Sequence, residues 1–450
     1  MAVTIDLNHG FKPFSRSQRC KLQSYGHLDP KIVEHSEAQN GSSFSQSFEV
    51  AFVADNIHRS LSSPCLPLST LVGEEATPRI EIVRGSGGPV HALVVEVAIA
   101  MASGVEPIPL ASGLGGAYVF RNQNGNSIAV AKPVDEEPLA FNNPKGLGGQ
   151  MLGQPGLKKS IRIGETGIRE LAAYLLDHGG LAGVPPTALV KFSHAAFTHD
   201  HNNNAAIPKV ASLQRFVGHG FDAGELGPSF FPVSSVHRIG ILDIRILNLD
   251  RHAGNILVMK HDHNNITTAK NYYVDGVADL VPIDHGFCLP EWLDDPYFEW
   301  LHWPQASIPF SDSELDYISK LDPFKDADIL RTHIPSFPEC SIRLLIICTI
   351  FLKQTAAAGL SLAQIGQMMT RKFCDGRESS SQLENICSTV KATIPIIDTC
   401  KQQPPSTSGG ISFADFTPPQ WEAFLDIFTN LLQSLFRITT SSIMEQLTPL

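Results

Sequence analysis

The chain is poor in positive charge: 34 lysines and arginines stand against 45 aspartates and glutamates, a formal net charge of −11. Nucleic acid demands a concentrated basic face, so the balance argues against that partner. It argues equally against purely electrostatic docking on anionic lipid. Long apolar runs are missing too. The two longest, Ala92–Ala102 broken by Glu96 and Leu344–Leu352, fall short of the roughly 20 residues that cross a bilayer. Both read as buried helices, and no transmembrane segment is expected. Residues 1–9 lack the charged start and apolar stretch of a secretory signal. The eight cysteines are scattered with no Cys-x-x-Cys pair, a pattern of reduced intracellular thiols without a zinc site.

What is present is ordinary globular chemistry: 43% of the residues are hydrophobic and 18% charged. Residues 1 to about 75 are rich in Ser, His, Asn and Pro and read as mostly disordered. Pro78–Val83 alternates like a strand, and His91–Ser103 suits a helix stopped by Gly104. Leu110–Phe120 then reads as strand, glycine turn, strand. Asn124-Gly125 marks a hairpin tip, and Ser127–Pro133 returns as a third run that carries Lys132 near its end. Gly113, Gly115 and Gly116 suit either a bulge or a loop that lets backbone N–H groups approach a phosphate.

Residues 134–163 form a long polar loop with a basic stretch, Lys158-Lys-Ser-Ile-Arg162. A loop of that length is expected to be functional or mobile. A helix over Ile168–Asp177 carries Glu170 in its first turns. Gly183–Val190 and Lys209–Val217 read as further strands. His199-Asp-His201 and His261-Asp-His263 are read as solvated loops. From Ser234 the spacing turns helical, with later helices at Leu315–Leu321, Ile342–Lys353 and Leu362–Phe373. A Ser- and Pro-rich linker leads to a terminal helix capped by Thr417. Its apolar face runs from Trp421 to Phe436, and its polar face is not basic, which favours docking on protein over a membrane surface.

The most specific signal is Asn248-Leu-Asp-Arg-His-Ala-Gly-Asn-Ile-Leu-Val258, answered by Val281-Pro-Ile-Asp-His-Gly-Phe287. The five-residue interval from Asp250 to Asn255, followed by Asp284 at the end of a second apolar run, is similar to a kinase catalytic loop and its magnesium-binding Asp. The expected fold is therefore α+β, bilobal and protein-kinase-like, with a strand-rich N-lobe and a helical C-lobe.

Several segments together resemble the phosphatidylinositol 3-/4-kinase superfamily, and more closely the plant phosphatidylinositol 4-kinase gamma family. They are Gly115–Tyr118, Ala131–Pro138, Arg169–His178, Ala182–Thr187, Val236–Arg245, Asp250–Leu257, Pro282–Pro290 and Phe298–Gln305. The resemblance implies a catalytic domain over about 101–398, split near 220, between a largely disordered region 1–100 and a linker and amphipathic helix over 399–450. The N-terminal region lacks the strand–helix–strand pattern of the ubiquitin-like domains some gamma-type members carry. The resemblance implies ATP and Mg2+ as cofactors. Ser112, Gly113, Gly115, Gly116, Ala117, Tyr118 and Lys132 would meet the nucleotide, with Glu170 pairing Lys132. Backbone groups at Gln214, Arg215, Phe216 and Val217 would meet the adenine at a hinge. Asn255 and Asp284 would hold magnesium, and either Asp250 or His252 would act as base. The acceptor would be phosphatidylinositol. The segment after Asp284, however, carries Glu291, Asp294, Asp295 and Glu299 and no basic cluster. A protein acceptor phosphorylated on Ser/Thr therefore stays open, as does a pseudokinase scaffold. The expected location is cytoplasmic, with peripheral membrane contact and the nucleus left open.

Overall fold

The computed structural model describes residues 79–194, 208–259, 279–374, 377–395 and 410–447, plus a hairpin of β1 (Val3–Asp6) and β2 (Gly10–Pro13). Most of the N-terminal region and both His-Asp-His segments lie outside the described residues. The chain forms two units, Tyr25–Gly149 with Pro186–Gly218, and a larger one of Met1–Ser24, Gln150–Pro185 and His219–Leu450.

The smaller unit is a six-stranded antiparallel sheet built from β3 (Arg79–Arg84), β4 (Ile108–Pro109), β5 (Tyr118–Arg121), β6 (Ser127–Pro133), β7 (Thr187–Ser193) and β8 (Lys209–Arg215), in the order β3-β7-β8-β6-β5-β4. The meander β4-β5-β6 forms as the alternation dictates. Its tip closes with Gly125 at φ 82°, while Asn122 Oδ1 accepts from the N–H groups of Asn124 and Asn126. Helix α1 (Gly88–Ala102) packs on β3, β5 and β6, burying Val90, Leu93, Val94 and Val97. The fold thus starts earlier than the expected boundary near 101, because β3 completes one sheet edge and α1 covers one face.

The larger unit holds α2 (Thr166–Leu176), α3 (Val233–Arg245), α4 (Asp312–Lys320), α5 (Pro323–His333), α6 (Glu339–Ala357), α7 (Leu362–Met369), α8 (Gln382–Thr393) and α9 (Pro418–Leu447). Residues 150–185, expected on the strand-rich side, belong here. Strands β9 (Phe221–Asp222), β10 (Ile256–Val258) and β11 (Leu280–Pro282) make a small antiparallel sheet, and β12 (Lys372–Cys374) pairs with β13 (Arg377–Ser379). Helix α6 is long and apolar enough to cross a membrane by composition, but it is the core: α3, α4, α5, α7 and α9 pack around it, and most of it is buried.

Helix α9 docks as its pattern implies. Trp421, Phe424, Leu425, Phe428 and Leu432 are buried against α6 and α8, while Leu435, counted on the same face, is exposed. Trp421 stacks on Phe424, and Phe424 on Phe428, with Phe413 edge-on to Trp421 and Phe424. Arg343 of α6 lies 5.2 Å over the Trp421 ring and donates to Phe416 O.

Candidate active site

The larger unit's site is organised by a carboxylate to which the sequence assigned no role. Asp243, on the last turn of α3, is wholly buried. A buried carboxylate needs both countercharge and hydrogen bonds. Arg251 supplies the charge, its Nε 3.1 and 3.0 Å from the two carboxylate oxygens. Asn248 Nδ2 and Trp300 Nε1 each donate at 3.0 Å. The far end of the same guanidinium reaches on: Arg251 Nη1 donates to Asn255 O and to Ile283 O, both at 2.7 Å. Ile283 N then donates to Asn255 O at 3.0 Å, extending the β10–β11 ladder. One buried side chain thus fixes Asn255 and the residue before Asp284.

Each neighbouring group is oriented in turn. Asn255, itself buried, donates Nδ2 to Asp250 O at 3.0 Å, which leaves its amide oxygen as a hard ligand. Asp284 is half-buried and left-handed, φ 56°, a conformation a non-glycine residue holds only where its surroundings over-determine it. A side chain at Gly286 would lie 3.0 Å from Thr166 Cβ, a tight fit that favours glycine in the turn. His285 is fully buried; its N–H donates to Glu170 Oε2 at 2.9 Å and its Nδ1 lies 3.7 Å from that oxygen. Within this unit Glu170 therefore seats the Asp-His-Gly turn. His252 opens the turn Ala253–Asn255, its Nδ1 accepting from Gly254 N at 3.1 Å. With that nitrogen accepting, a neutral imidazole carries its proton on Nε2, which is then a donor.

In the smaller unit Lys132 sits opposite Ser212 on β8, on the face it shares with Val130 and Gln214. The other face looks toward α1, where Arg215 pairs with Glu96. Two of the glycines also have a packing cause. A side chain at Gly116 would strike Glu136, whose Cβ lies 2.8 Å from the site of the missing one, and at Gly115 it would lie 3.2 Å from Glu136 O. Gly116 N also donates to Glu136 O at 2.8 Å. Glu136 is fully buried, pairs with Lys209, and accepts from the Tyr118 hydroxyl at 2.8 Å. Burial and that hydrogen bond push the phenol's pKa up. The Tyr118 side chain is thus interior structure, as is Ala117.

The front of the turn is braced from behind. Lys145 Nζ donates to three successive carbonyls, Ala111 O at 2.9 Å, Ser112 O at 2.5 Å and Gly113 O at 3.1 Å. Asn143 Nδ2 takes Leu114 O at 2.8 Å. Gly113 has φ 78°, the glycine-requiring conformation of the set.

A family model described as "Phosphatidylinositol 3- and 4-kinase" matches residues 113–365. The chain belongs to the phosphatidylinositol 3- and 4-kinase family. Among its Arabidopsis thaliana relatives, phosphatidylinositol 4-kinase gamma 8 is 61% identical over 87% of this chain and 73% of its own length. Phosphatidylinositol 4-kinase gamma 1 is 58% identical over 88% and 69%, and gamma 7 is 53% identical over 75% and 52%. The phosphatidylinositol-kinase match takes in Lys132, Glu170, Asp250, Asn255 and Asp284.

The expected adenine hinge needs one change. Arg215 N donates to Pro186 O at 2.9 Å and Phe216 N to Ile128 O at 3.0 Å. Gln214 lies within the sheet, its side chain donating to Thr187 Oγ1 at 2.9 Å. These groups belong to the sheet, so an adenine at this edge must find its donors beyond Phe216. Asp243, Arg251, Glu136 and Lys145 were missed because each acts through buried or backbone partners distant in sequence. The available signal was a charged residue, Asp243, within the apolar stripe of a helix.

Proposed function

We propose that the protein is an ATP- and magnesium-dependent phosphatidylinositol 4-kinase that transfers the γ-phosphoryl group of ATP to the inositol 4-hydroxyl. The observation that carries the reading is the rigid arrangement of Asp250, Asn255 and Asp284 about buried Arg251, in a chain whose relatives bear that activity in their names. The hydroxyl oxygen forms its bond to the γ-phosphorus as the bond to the ADP oxygen breaks. The hydroxyl proton passes to Asp250. Asp250 is preferred over His252 because the His252 Nδ1 lone pair is taken by Gly254 N, which makes Nε2 a donor suited to a γ-phosphoryl oxygen.

Asn255 and Asp284 would hold magnesium, which when bound neutralises phosphate charge. The donors fit: both are hard oxygens, and among the described residues no cluster of three His, Cys, Asp or Glu forms a protein-only cage. Such a site suits an ion whose remaining ligands are phosphate and water. The glycine turn and Lys132 are assigned to the ATP phosphates. The catalysis is positioning and charge neutralisation. The enzyme would act in the cytoplasm and reach its lipid by peripheral contact.

The test offers labelled ATP to phosphatidylinositol vesicles and to a generic protein in parallel. Label in lipid from the wild type, lost in Asp284→Ala with the melting temperature retained, is expected. Label in the protein alone would replace the lipid acceptor with Ser/Thr side chains.

A further inference from the structure

The acidic segment after Asp284 has no lysine or arginine to meet an anionic head group. In the fold, every acid in it is already engaged. Arg162 clamps Glu291 with two bonds, Nε to Oε1 at 2.6 Å and Nη2 to Oε2 at 3.0 Å. Ser160 Oγ donates to Asp294 Oδ2 at 2.8 Å. Asp295 accepts from Arg371 N at 2.7 Å, and Glu299 from the Tyr297 hydroxyl at 2.9 Å. These carboxylates are structural, so they do not form a surface for a basic peptide.

Two of those partners, Ser160 and Arg162, belong to one hairpin. Gly153 N donates to Ile163 O at 2.8 Å, Ile163 N to Gln154 O at 2.9 Å and Gly156 N to Ile161 O at 2.9 Å. Ile161 N closes the tip on Lys158 O at 3.0 Å. Glu291 N in turn donates to Ser160 O at 2.8 Å. Docked this way, the hairpin carries Lys158-Lys159 to the catalytic loop: Lys158 Nζ donates to Leu249 O at 3.3 Å, one residue before Asp250. That bond uses one of three ammonium donors. Lys159, beside it at the tip, is exposed and makes no hydrogen bond or ion pair among the described residues. The cations absent from the acceptor segment in sequence are thus delivered to it in space.

We propose that Lys158 and Lys159 recognise the phosphodiester of the inositol lipid and so determine the acceptor. This rests on the lipid-kinase reading above. An ammonium is a compact point charge suited to a single phosphate oxygen, and charge-assisted bonds are about twice as strong as neutral ones. The bland role, Lys158 only capping Leu249 O, would affect the catalytic loop as a whole and not one substrate.

The experiment measures steady-state kinetics on phosphatidylinositol dispersed in neutral phosphatidylcholine vesicles, for wild type, Lys158→Met, Lys159→Met, the double variant and Lys158→Arg. The expected result is a rise in KM for the lipid of about tenfold per lysine, each worth the ~1.4 kcal/mol of a tenfold change. KM for ATP, kcat at saturating lipid and melting temperature stay within about twofold of wild type, and Lys158→Arg recovers most of the lipid KM. Water-soluble glycerophosphoinositol should inhibit wild type competitively and the double variant weakly, which separates head-group recognition from attraction to a bilayer. An unchanged lipid KM in the double variant overturns the proposal, as does a parallel fall of kcat and rise of ATP KM. A wild type that leaves the lipid unlabelled removes the underlying reading as well, and is told apart by needing no variant.

Discussion

Arg251→Lys tests whether one guanidinium couples Asn255 to the residue before Asp284, Asn255 and Asp284 being the two proposed magnesium ligands. The substitution keeps the charge beside Asp243 but removes the planar fork that spans from the carboxylate to Asn255 O and Ile283 O. Two bonds of 2.7 Å from a charged donor are lost, and buried bonds of that type are worth about 1.5–3 kcal/mol each at most, part of which water or a shifted backbone recovers. A net loss of about 2–3 kcal/mol is expected. At about 2–4 °C per kcal/mol for a unit of this size, the melting temperature falls by about 4–12 °C. Arg251→Met is worse, since it strands a buried carboxylate, and should cost about 3–5 kcal/mol. Activity should fall further than stability. A displacement of reacting groups by about 1 Å costs on the order of a hundredfold, so kcat for Arg251→Lys is expected about a hundredfold down at a temperature where the protein stays folded. Differential scanning calorimetry and magnesium-ATP turnover on the same sample supply both readings. A lysine variant with wild-type kcat would refute the coupling, whatever its melting temperature.

Other consequences follow from the same geometry. Lys145→Met should loosen the glycine turn, raising KM for ATP about tenfold with little change in fold, read by nucleotide titration. Phe428→Ala, at a fully buried ring on α9, should destabilise by about 3–5 kcal/mol in urea unfolding. Asp326 gives a pH dependence. Burial alone would raise its carboxyl pKa, but His178 at 2.6 Å and Arg245 at 2.8 Å outweigh burial and hold it below the usual value. Its stabilisation is then complete above about pH 4 and disappears as pH falls through the depressed folded value. Asp326→Asn should flatten the urea midpoint across that range.

Sequence reading succeeded where chemistry is local. The period of two in Ser127–Pro133, the helical stripe of Val236–Ile244 and the Trp421–Leu432 face all formed as their patterns require, while Leu247, counted on the same stripe, falls beyond the helix end with φ 42°. It failed where partners are remote. Gly115 and Gly116 suited a bulge or a phosphate loop in sequence, and the loop twenty residues on that fills the space a side chain would need could not be read there. Helix α8 was passed over inside a Ser-rich stretch, yet Ser381 and Glu384 form a full capping box there. The stretch after about residue 376 was read only as Ser-rich, ahead of a linker, and the Ser-x-x-Glu signature within it went unused. The hairpin of residues 153–163 had no periodicity to find, because docking on Glu291 and Asp294 holds it in place.

The packing of α9 bears on how this family's modules are delimited. The family model ends at residue 365, within α7, but α6 is covered by α9, which comes later and also packs on α8. Cys348 on α6 and Cys387 on α8 are both fully buried. A polypeptide trimmed to the recognisable signature would therefore expose its central helix and its aromatic seam. The matched kinase signature and the segment able to fold are different lengths of chain, and expression boundaries set at residues 113 and 365 should yield insoluble protein.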